Sequence, residues 1–434
     1  MFTVPKFHEV IFNFFEKHVP EQEKQSQFVQ RNSKLNAFAF VKAMVSACLS
    51  ESRITLQGIC GLLSQQNVAI KKQSLFERMN ERGVAFLKGL FSMSLKEFAP
   101  QGSHFSEILS SFSHVYIIDS STISLPASLK ERFKGCGGNA SEAAAKLQVL
   151  YDYLEGQIKG LMLTPGHQND QGFEHYFTQI KAKALYLMDL GYFKLATFQK
   201  IIAGNAYFVS RYFMGTKLFT LDGQSFELHQ KLPKNKTSSY SQEVLLGTET
   251  QIKVRLIAQY LPDDVVEKRI RKLKRAYQRR GLTLSAEKRR LARWNIFIAH
   301  LPSQYQWDES QIQALYRLRW QIELLFKLSK SGMGIDVIHS KKPARVLIEL
   351  YTKLTCLVIL LYFCSQASAQ SGHKISYLKA YKHFFFNAFD FVSSLSSMTK
   401  MKQFTQRFLN TLTLFAIKET KQKKGYQNEL EINF

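Results

Sequence analysis

Two short apolar runs, each followed by an aspartate, constrain the fold of this chain more than any other feature. Residues 115–118 lead into Asp119, and residues 184–188 lead into Asp189. Short runs rich in apolar and aromatic side chains are typical of buried strands. In an open α/β sheet, a side chain at the carboxyl end of a strand faces the crevice in which ligands bind. The two runs therefore predict an α/β fold with two carboxylates at one edge of its sheet.

The segments around these runs extend the same pattern. Alternation and turn residues predict a β-hairpin over residues 147–164, with Gly156 in its turn. Helices are predicted over 172–182 and 194–203, and a strand over 206–212. The order strand, strand, strand, helix, strand, helix, strand predicts an α/β core.

A long helix predicted over residues 309–331 carries a third carboxylate, Glu323. At about 100° per residue, Tyr316, Arg319, Glu323 and Lys330 share a stripe roughly 60° wide, beside an apolar face. The alternative is an ordinary Arg–Glu pair beside a core face. Three carboxylates can hold two divalent cations about 3.5–4 Å apart, and such oxygen ligands favour Mg²⁺ or Mn²⁺ over zinc.

The charge of the chain indicates a polyanionic partner. Its formal net charge is +25, from 59 Lys and Arg against 34 Asp and Glu, and nucleic acid is the usual partner of such an excess. Residues 215–261 alternate as β-strands do, with turns at 222–223 and 233–236. They are followed by a basic helical stretch over 268–293 and a strand over 295–301. We favour nucleic-acid contact for Arg271, Lys274 and Arg275 over a merely solvated face.

Four residues on the long helix carry a resemblance to a known family. Tyr316, Arg319, Glu323 and Lys330 match the Tyr-x2-Arg-x3-Glu-x6-Lys motif of the DDE transposases of insertion sequence family four. The sequence around Asp119, Ile-Ile-Asp-Ser-Ser-Thr, is similar to the first aspartate motif of that family. The sequence around the second aspartate, Met-Asp-Leu-Gly-Tyr-Phe, is similar to its second motif. The chain resembles the family over roughly residues 110 to 350.

The resemblance implies an α/β fold with a ribonuclease-H-like core, a β-rich insertion domain and flanking helical N- and C-terminal regions. It implies an enzyme that excises and inserts a DNA element by cut-and-paste, through a hairpin intermediate, as a homodimer in a synaptic complex. The expected partner is double-stranded DNA, both terminal inverted repeats and target. The expected cofactor is a pair of Mg²⁺ or Mn²⁺ ions held by Asp119, Asp189 and Glu323.

The resemblance also implies residues that contact DNA. Tyr316, Arg319 and Lys330 correspond to residues that contact phosphates, and Arg211 to a basic strand residue that touches DNA. Trp294 corresponds to a position where a tryptophan stacks on a flipped base. A core or strand-edge aromatic remains an open alternative for Trp294.

These expectations divide the chain into five segments. The divisions are a helical DNA-binding region (1–105), the first part of the core (106–212), the β-rich and basic insertion (213–305), the core helix with the catalytic glutamate (306–350), and a helical C-terminal region that could mediate dimerisation (351–434).

The two ends of the chain read as helical. Residues 55–63, a break at 64–67 and a capping box formed by Ser74 and Glu77 predict a helix-turn-helix, with a plain helical hairpin equally open. The apolar run 346–364 contains Glu349 and Lys353, and charges are costly at a membrane centre, so we expect a buried helix.

Five well-separated cysteines, with no Cys-x-x-Cys pair, predict a reduced cytoplasmic protein. Because the expected partner is DNA, we expect the protein to be associated with the nucleoid of a prokaryotic cell. No secretory signal is evident. Three other functions stay open: a metal-dependent nuclease on the same core, a non-catalytic DNA-binding descendant, and a basic membrane-surface protein. Three clustered acids, which repel DNA, argue against the non-catalytic descendant.

Overall fold

The computed structural model describes residues 7–30, 34–50, 54–98, 107–137, 141–233, 239–303, 307–338 and 340–419. Nine strands form one sheet in the order β3-β2-β1-β4-β5-β9-β8-β7-β6. Their bounds are β1 Val115–Leu125, β2 Ala143–Asp152, β3 Gln157–Pro165, β4 Leu185–Met188, β5 Tyr207–Arg211, β6 Leu218–Phe219, β7 Ser239–Leu246, β8 Ile252–Tyr260 and β9 Trp294–His300.

Sixteen α-helices are described. They are α1 Phe7–Ser26, α2 Ala37–Ser50, α3 Leu56–Ser64, α4 Lys72–Arg78, α5 Glu81–Glu97, α6 Glu107–Ser110, α7 Leu195–Ala203, α8 Leu228–Lys231, α9 Asp263–Gln278, α10 Ala286–Leu291, α11 Glu309–Arg317, α12 Trp320–Lys327, α13 Pro343–Ser371, α14 Tyr377–Phe386, α15 Ala388–Ser394 and α16 Met398–Phe415. The helix α13 crosses the predicted division between residues 350 and 351.

The first five strands form the ribonuclease-H-like core that the resemblance implied. Strands β1, β2 and β3 are antiparallel, and β4 and β5 run parallel to β1. The predicted hairpin is confirmed, with Gly156 in its turn at a φ of 65° that suits glycine. Ile118 on β1 pairs with Met188 on β4. The residues that follow them, Asp119 within β1 and Asp189 just after β4, therefore lie next to each other. The register therefore brings the two aspartates together at one edge.

The strands of the insertion continue the core sheet. Strand β9 pairs with β5 on one side and β8 on the other, and β7 and β6 complete the sheet. The predicted turn at 222–223 is present, with Gly223 at a φ of 86°. Of the other predicted turn, residues 234–236 lie outside the described residues. The predicted basic stretch forms α9 and α10.

Both faces of the sheet are buried. Alternate strand residues point to opposite faces, and each face packs against its own apolar cluster. Ile117 and Leu187 belong to the apolar cluster shared with the N- and C-terminal helices, whereas Ile118 and Met188 belong to a second cluster on the other face. The long helix α13 lies against α5, α2 and α16. It is long and apolar enough to cross a membrane, but its most apolar window is wholly buried in the protein, as expected for a core helix.

Three sequence-based expectations about helices are wrong. Residues 172–182 form no α-helix; short 3₁₀ turns at Asp170–Gly172 and His175–Phe177 replace it. The expected capping box is absent, because α4 already begins at Lys72 and Ser74 lies inside its first turn. The helix over 309–331 is interrupted, since the amides of Leu318 and Arg319 bond to carbonyls three residues back.

Candidate active site

The side chains of Asp119 and Asp189 are each oriented by a backbone amide that lies one or two residues further along the chain. Asp119 lies within β1, where its Oδ1 accepts a hydrogen bond of 2.8 Å from the amide of Ser120. Asp189 directly follows β4 and caps the 3₁₀ turn Leu190–Tyr192, where its Oδ1 accepts a bond of 2.8 Å from the amide of Gly191. These bonds orient both carboxylates at the shared strand edge.

Arg319 joins the strand edge to the helix that carries Glu323. Its Nη1 donates to Oδ2 of Asp119 at 2.6 Å, and its Nη2 donates to Oε1 of Glu323 at 2.8 Å. The side chains of Arg319 and Asp119 are each only 16% exposed, so water screens this contact weakly. The guanidinium thus lies between two of the three predicted carboxylates.

Burial and the neighbouring acids both make it costly to ionise the carboxyl of Asp119. Burial is the largest cause that raises the pKa of Asp119, to about 6, and the charges of Asp189 and Glu323 raise it further. Arg319 and the amide of Ser120 act in the opposite direction. The influence of Asp189 and Glu323 on this one carboxyl places the three acids in one electrostatic cluster.

The donor set fits hard divalent cations. All three side chains offer carboxylate oxygens, the ligands that Mg²⁺ and Mn²⁺ prefer, and together they need compensating positive charge. Within the described residues, the groups whose ligand atoms all lie within 4.8 Å of one another are elsewhere: His114 with Asp152 and Glu155, and Glu227 with His229 and Glu287. The predicted triad is not among them. We attribute this to Arg319, which stands between Asp119 and Glu323.

The other two residues of the helix motif, Tyr316 and Lys330, contact strands β9 and β1. The ring of Tyr316 packs 4.9 Å from that of Phe297 on β9, and burial raises the pKa of Tyr316 to about 12. Lys330 lies in a single π-helical turn, Leu328–Gly332, a local widening often found at functional sites. Its Nζ donates to the carbonyl of Thr122 on β1 at 2.8 Å. Lys330 is therefore held beside the strand that carries Asp119.

Arg211 ends β5 and pairs with Phe297 of β9, whereas Trp294 begins β9 and pairs with Tyr260 of β8. Arg211 donates from Nη2 to Oδ1 of Asn295 at 2.8 Å. Its positive charge partly offsets the rise that burial causes in the pKa of Tyr316. Trp294 is 2% exposed and packs edge-on against Tyr260, with centroids 5.2 Å apart. This is the packing of a core aromatic, the alternative left open above, and the ring is closed to a base in this conformation.

The predicted basic stretch divides into two kinds of residue. Arg271, Lys274 and Arg275 are exposed on α9, and none forms an ion pair with a described residue. In contrast, Arg269 points inward and donates to the carbonyl of Trp294 at 2.8 Å. Only the exposed members are available for a phosphate.

Asp170 lies beside Asp119, although no sequence pattern pointed to it. It lies in the 3₁₀ turn after β3, in a segment expected to be loop and helix start. Its Oδ1 accepts a bond of 2.9 Å from the hydroxyl of Ser120, the residue after Asp119. No periodicity or motif distinguishes such a loop aspartate from a solvated one.

The expectation that both aspartates end strands is confirmed only for Asp189, because β1 continues six residues beyond Asp119. Together, the ribonuclease-H-like sheet and the acids beside β1 and β4 define a class of metal-dependent enzymes that act on phosphodiester bonds. A model of the family described as Transposase DDE domain matches residues 110–359, more than half of the chain. The chain belongs to this family and is a DNA transposase, an enzyme that cleaves DNA and transfers its strands. The matched residues include all three predicted carboxylates.

Known transposases are similar along most of the chain. The transposase for insertion sequence element IS231F of Bacillus thuringiensis subsp. israelensis is 27% identical over 368 residues, which cover 80% of this chain and 76% of that protein. The transposase for insertion sequence element IS1151 of Clostridium perfringens is 27% identical over 361 residues, covering 77% and 75%. A solved piggyBac transposase synaptic complex with hairpin DNA aligns with a TM-score of 0.49 and 10% identity, over 97% of this chain and 86% of that chain.

Proposed function

We propose that this transposase moves its element by cut-and-paste and that Asp119, Asp189 and Glu323 are its catalytic, metal-binding residues. The observation that carries the proposal is the register of β1 with β4, which puts two aspartates side by side, with Arg319 linking one of them to Glu323. When bound, a pair of Mg²⁺ or Mn²⁺ ions would activate the attacking water or 3′ hydroxyl and stabilise the leaving oxygen.

The protein's own groups have separate tasks in this proposal. The negative charge of the three carboxylates would retain the ions. The amides of Ser120 and Gly191 keep the carboxylates of Asp119 and Asp189 oriented. A divalent cation would take over the neutralisation that Arg319 provides to Asp119 and Glu323. Arg319 is then available for a phosphate of the element's end, which its planar donors suit.

Further DNA contacts are proposed around the acids and on the insertion. Tyr316 lies within electrostatic reach of Asp189 and Arg211. Lys330 is bonded to Thr122 on the strand that carries Asp119, and these three groups are our candidates for holding phosphates near the scissile bond. Arg271, Lys274 and Arg275 offer exposed charge on α9 for the flanking duplex. For Trp294, stacking on a flipped base would require its pocket to open.

The wider assembly follows the family resemblance. We propose a hairpin intermediate and a homodimeric synaptic complex that holds terminal inverted repeats and target DNA. The helix pair α3–α4 is the candidate for end recognition within residues 1–105. The C-terminal helices expose Phe386 and Phe389 at 80% and 65%, which suits a role of residues 351–434 in dimerisation.

The test uses Asp189→Asn on DNA that carries the element's own ends. We expect the variant to lose cleavage and strand transfer in Mg²⁺ but to bind the ends nearly as well as the parent, because binding depends mainly on cations. Glu243→Gln, which removes an exposed charge on β7, is the matched control and should cleave normally. Cleavage by Asp189→Asn at the parent rate would refute the site. If the parent protein cleaves the ends but forms no strand-transfer products, it acts as a nuclease instead.

A further inference from the structure

Asp170 accepts three side-chain hydrogen bonds on a single oxygen. Its Oδ1 receives Ser120 Oγ at 2.9 Å, Lys146 Nζ at 3.1 Å and Gln148 Nε2 at 3.1 Å. Ser120 lies on β1, and Lys146 and Gln148 lie on β2, with Ser120 opposite Gln148 in the antiparallel register. One carboxylate therefore ties the turn after β3 to both strands, next to Asp119.

The network continues to the turn that follows Asp189. Gln148 is only 1% exposed, and its Oε1 accepts a hydrogen bond from the hydroxyl of Tyr192. Tyr192 belongs to the 3₁₀ turn Leu190–Tyr192 that Asp189 caps. A continuous chain of side chains, Ser120 to Asp170 to Gln148 to Tyr192, thus connects the neighbour of Asp119 with the turn at Asp189.

The second oxygen of Asp170 faces the same turn directly. A Cβ at Gly191 would lie 3.2 Å from Oδ2 of Asp170 and 2.9 Å from Oδ1 of Asp189. The two carboxylate oxygens are therefore at most about 6 Å apart, because both lie that close to one point. Only a glycine leaves room for this approach without displacing a carboxylate.

We propose that Asp170 is a positioning residue that sets the spacing of Asp119 and Asp189 and thereby the affinity of the site for divalent cations. The inference rests on the proposed function of these two aspartates. The ion pair with Lys146 offsets the charge of Asp170, so a fourth acid beside the site adds little repulsion toward DNA. Partners of metal ligands typically change metal affinity or activity by about 10–100-fold when removed.

A purely structural reading gives Asp170 a smaller task, which is to fasten the turn Asp170–Gly172 to β2 through Lys146. The two readings differ in what they predict for the metal. A structural fastener affects stability and leaves metal affinity unchanged in protein that remains folded. A positioning residue weakens metal binding even where the fold is intact.

The experiment measures Mn²⁺ binding to the full chain without DNA, by the electron paramagnetic resonance signal of free Mn²⁺. We expect Asp170→Ala, which removes all three hydrogen bonds on Oδ1, to weaken binding by about 10-fold or more, within the range for partners of metal ligands. Ser120→Ala, which removes one bond to Oδ1, should weaken it by a smaller factor. The double variant should not add the two effects, because both act through one contact. Glu174→Gln is the matched control: it lies four residues on and pairs with Lys194 and Lys200, away from the acids.

Asp189→Asn in the same titration separates the two proposals. If Asp189→Asn loses Mn²⁺ while folded Asp170→Ala and Ser120→Ala keep the parent affinity, the role of Asp170 is overturned and the metal site stands. If Asp189→Asn also keeps the parent affinity, the metal site itself fails, and the inference about Asp170 falls with it. Circular dichroism selects the variants that are folded; should Asp170→Ala unfold, the milder Ser120→Ala decides the matter alone.

Discussion

Replacing Asp119 by asparagine should stabilise the metal-free protein at neutral pH. The pKa of Asp119 is raised to about 6 in the folded chain, above its ordinary value of 3.8, with burial as the largest cause. A carboxyl whose pKa is raised by folding contributes stability below its unfolded pKa. That contribution is lost as the pH rises through the folded value. Above pH 6, folding therefore holds an ionised carboxylate at a net cost, which neutral asparagine avoids.

The magnitude follows from the shift. About two pKa units at about 1.4 kcal/mol per unit give a cost near 3 kcal/mol once Asp119 is fully ionised. The pull of Arg319 is already contained in this net value, because it is one of the causes that lower the pKa. We expect the variant to gain about 1–3 kcal/mol at pH 7.5 and almost nothing at about pH 3, below the unfolded pKa.

The assay is urea unfolding of parent and Asp119→Asn in chelator, followed by fluorescence at several pH values. The difference between the two midpoints should grow between about pH 3 and pH 7. Saturating Mg²⁺ should stabilise the parent alone, because only its site binds the ion. Glu243→Gln, an exposed carboxylate on β7, provides the control and should show no such growth. Parallel pH profiles for parent and Asp119→Asn would refute the electrostatic account of the site.

Two further predictions concern DNA. Neutralising Arg271, Lys274 and Arg275 together should flatten the dependence of log affinity on log salt by about 0.9 per lost phosphate contact; an unchanged slope would make α9 a solvated face. Lys330→Ala should weaken end binding and slow cleavage of pre-nicked ends while Mn²⁺ affinity stays at the parent value, and Lys330→Arg should recover part of the loss because charge remains. Parent rates for Lys330→Ala would remove Lys330 from the site.

Local patterns predicted the elements that depend on neighbours in the chain. The hairpin around Gly156 and the strands β4 and β5 are present as expected, because a period of two and a turn glycine act over a few residues. The helix over 309–331 was less predictable. Its break at Leu318 and its π-helical turn at Leu328–Gly332 lie in a segment that packs against β1, β5 and α14, and no helical period records such contacts.

The family and the candidate acids could be inferred from the order of residues alone. Aspartates that follow apolar runs and a motif of fixed spacing are local features, so Asp119, Asp189 and Glu323 could be named without coordinates. The place of Arg319 between Asp119 and Glu323, and the contact of Asp170 with Ser120, appear only in the folded chain. These contacts unite residues up to 200 positions apart, and a hydrogen bond across that separation exists only after the sheet has set its register.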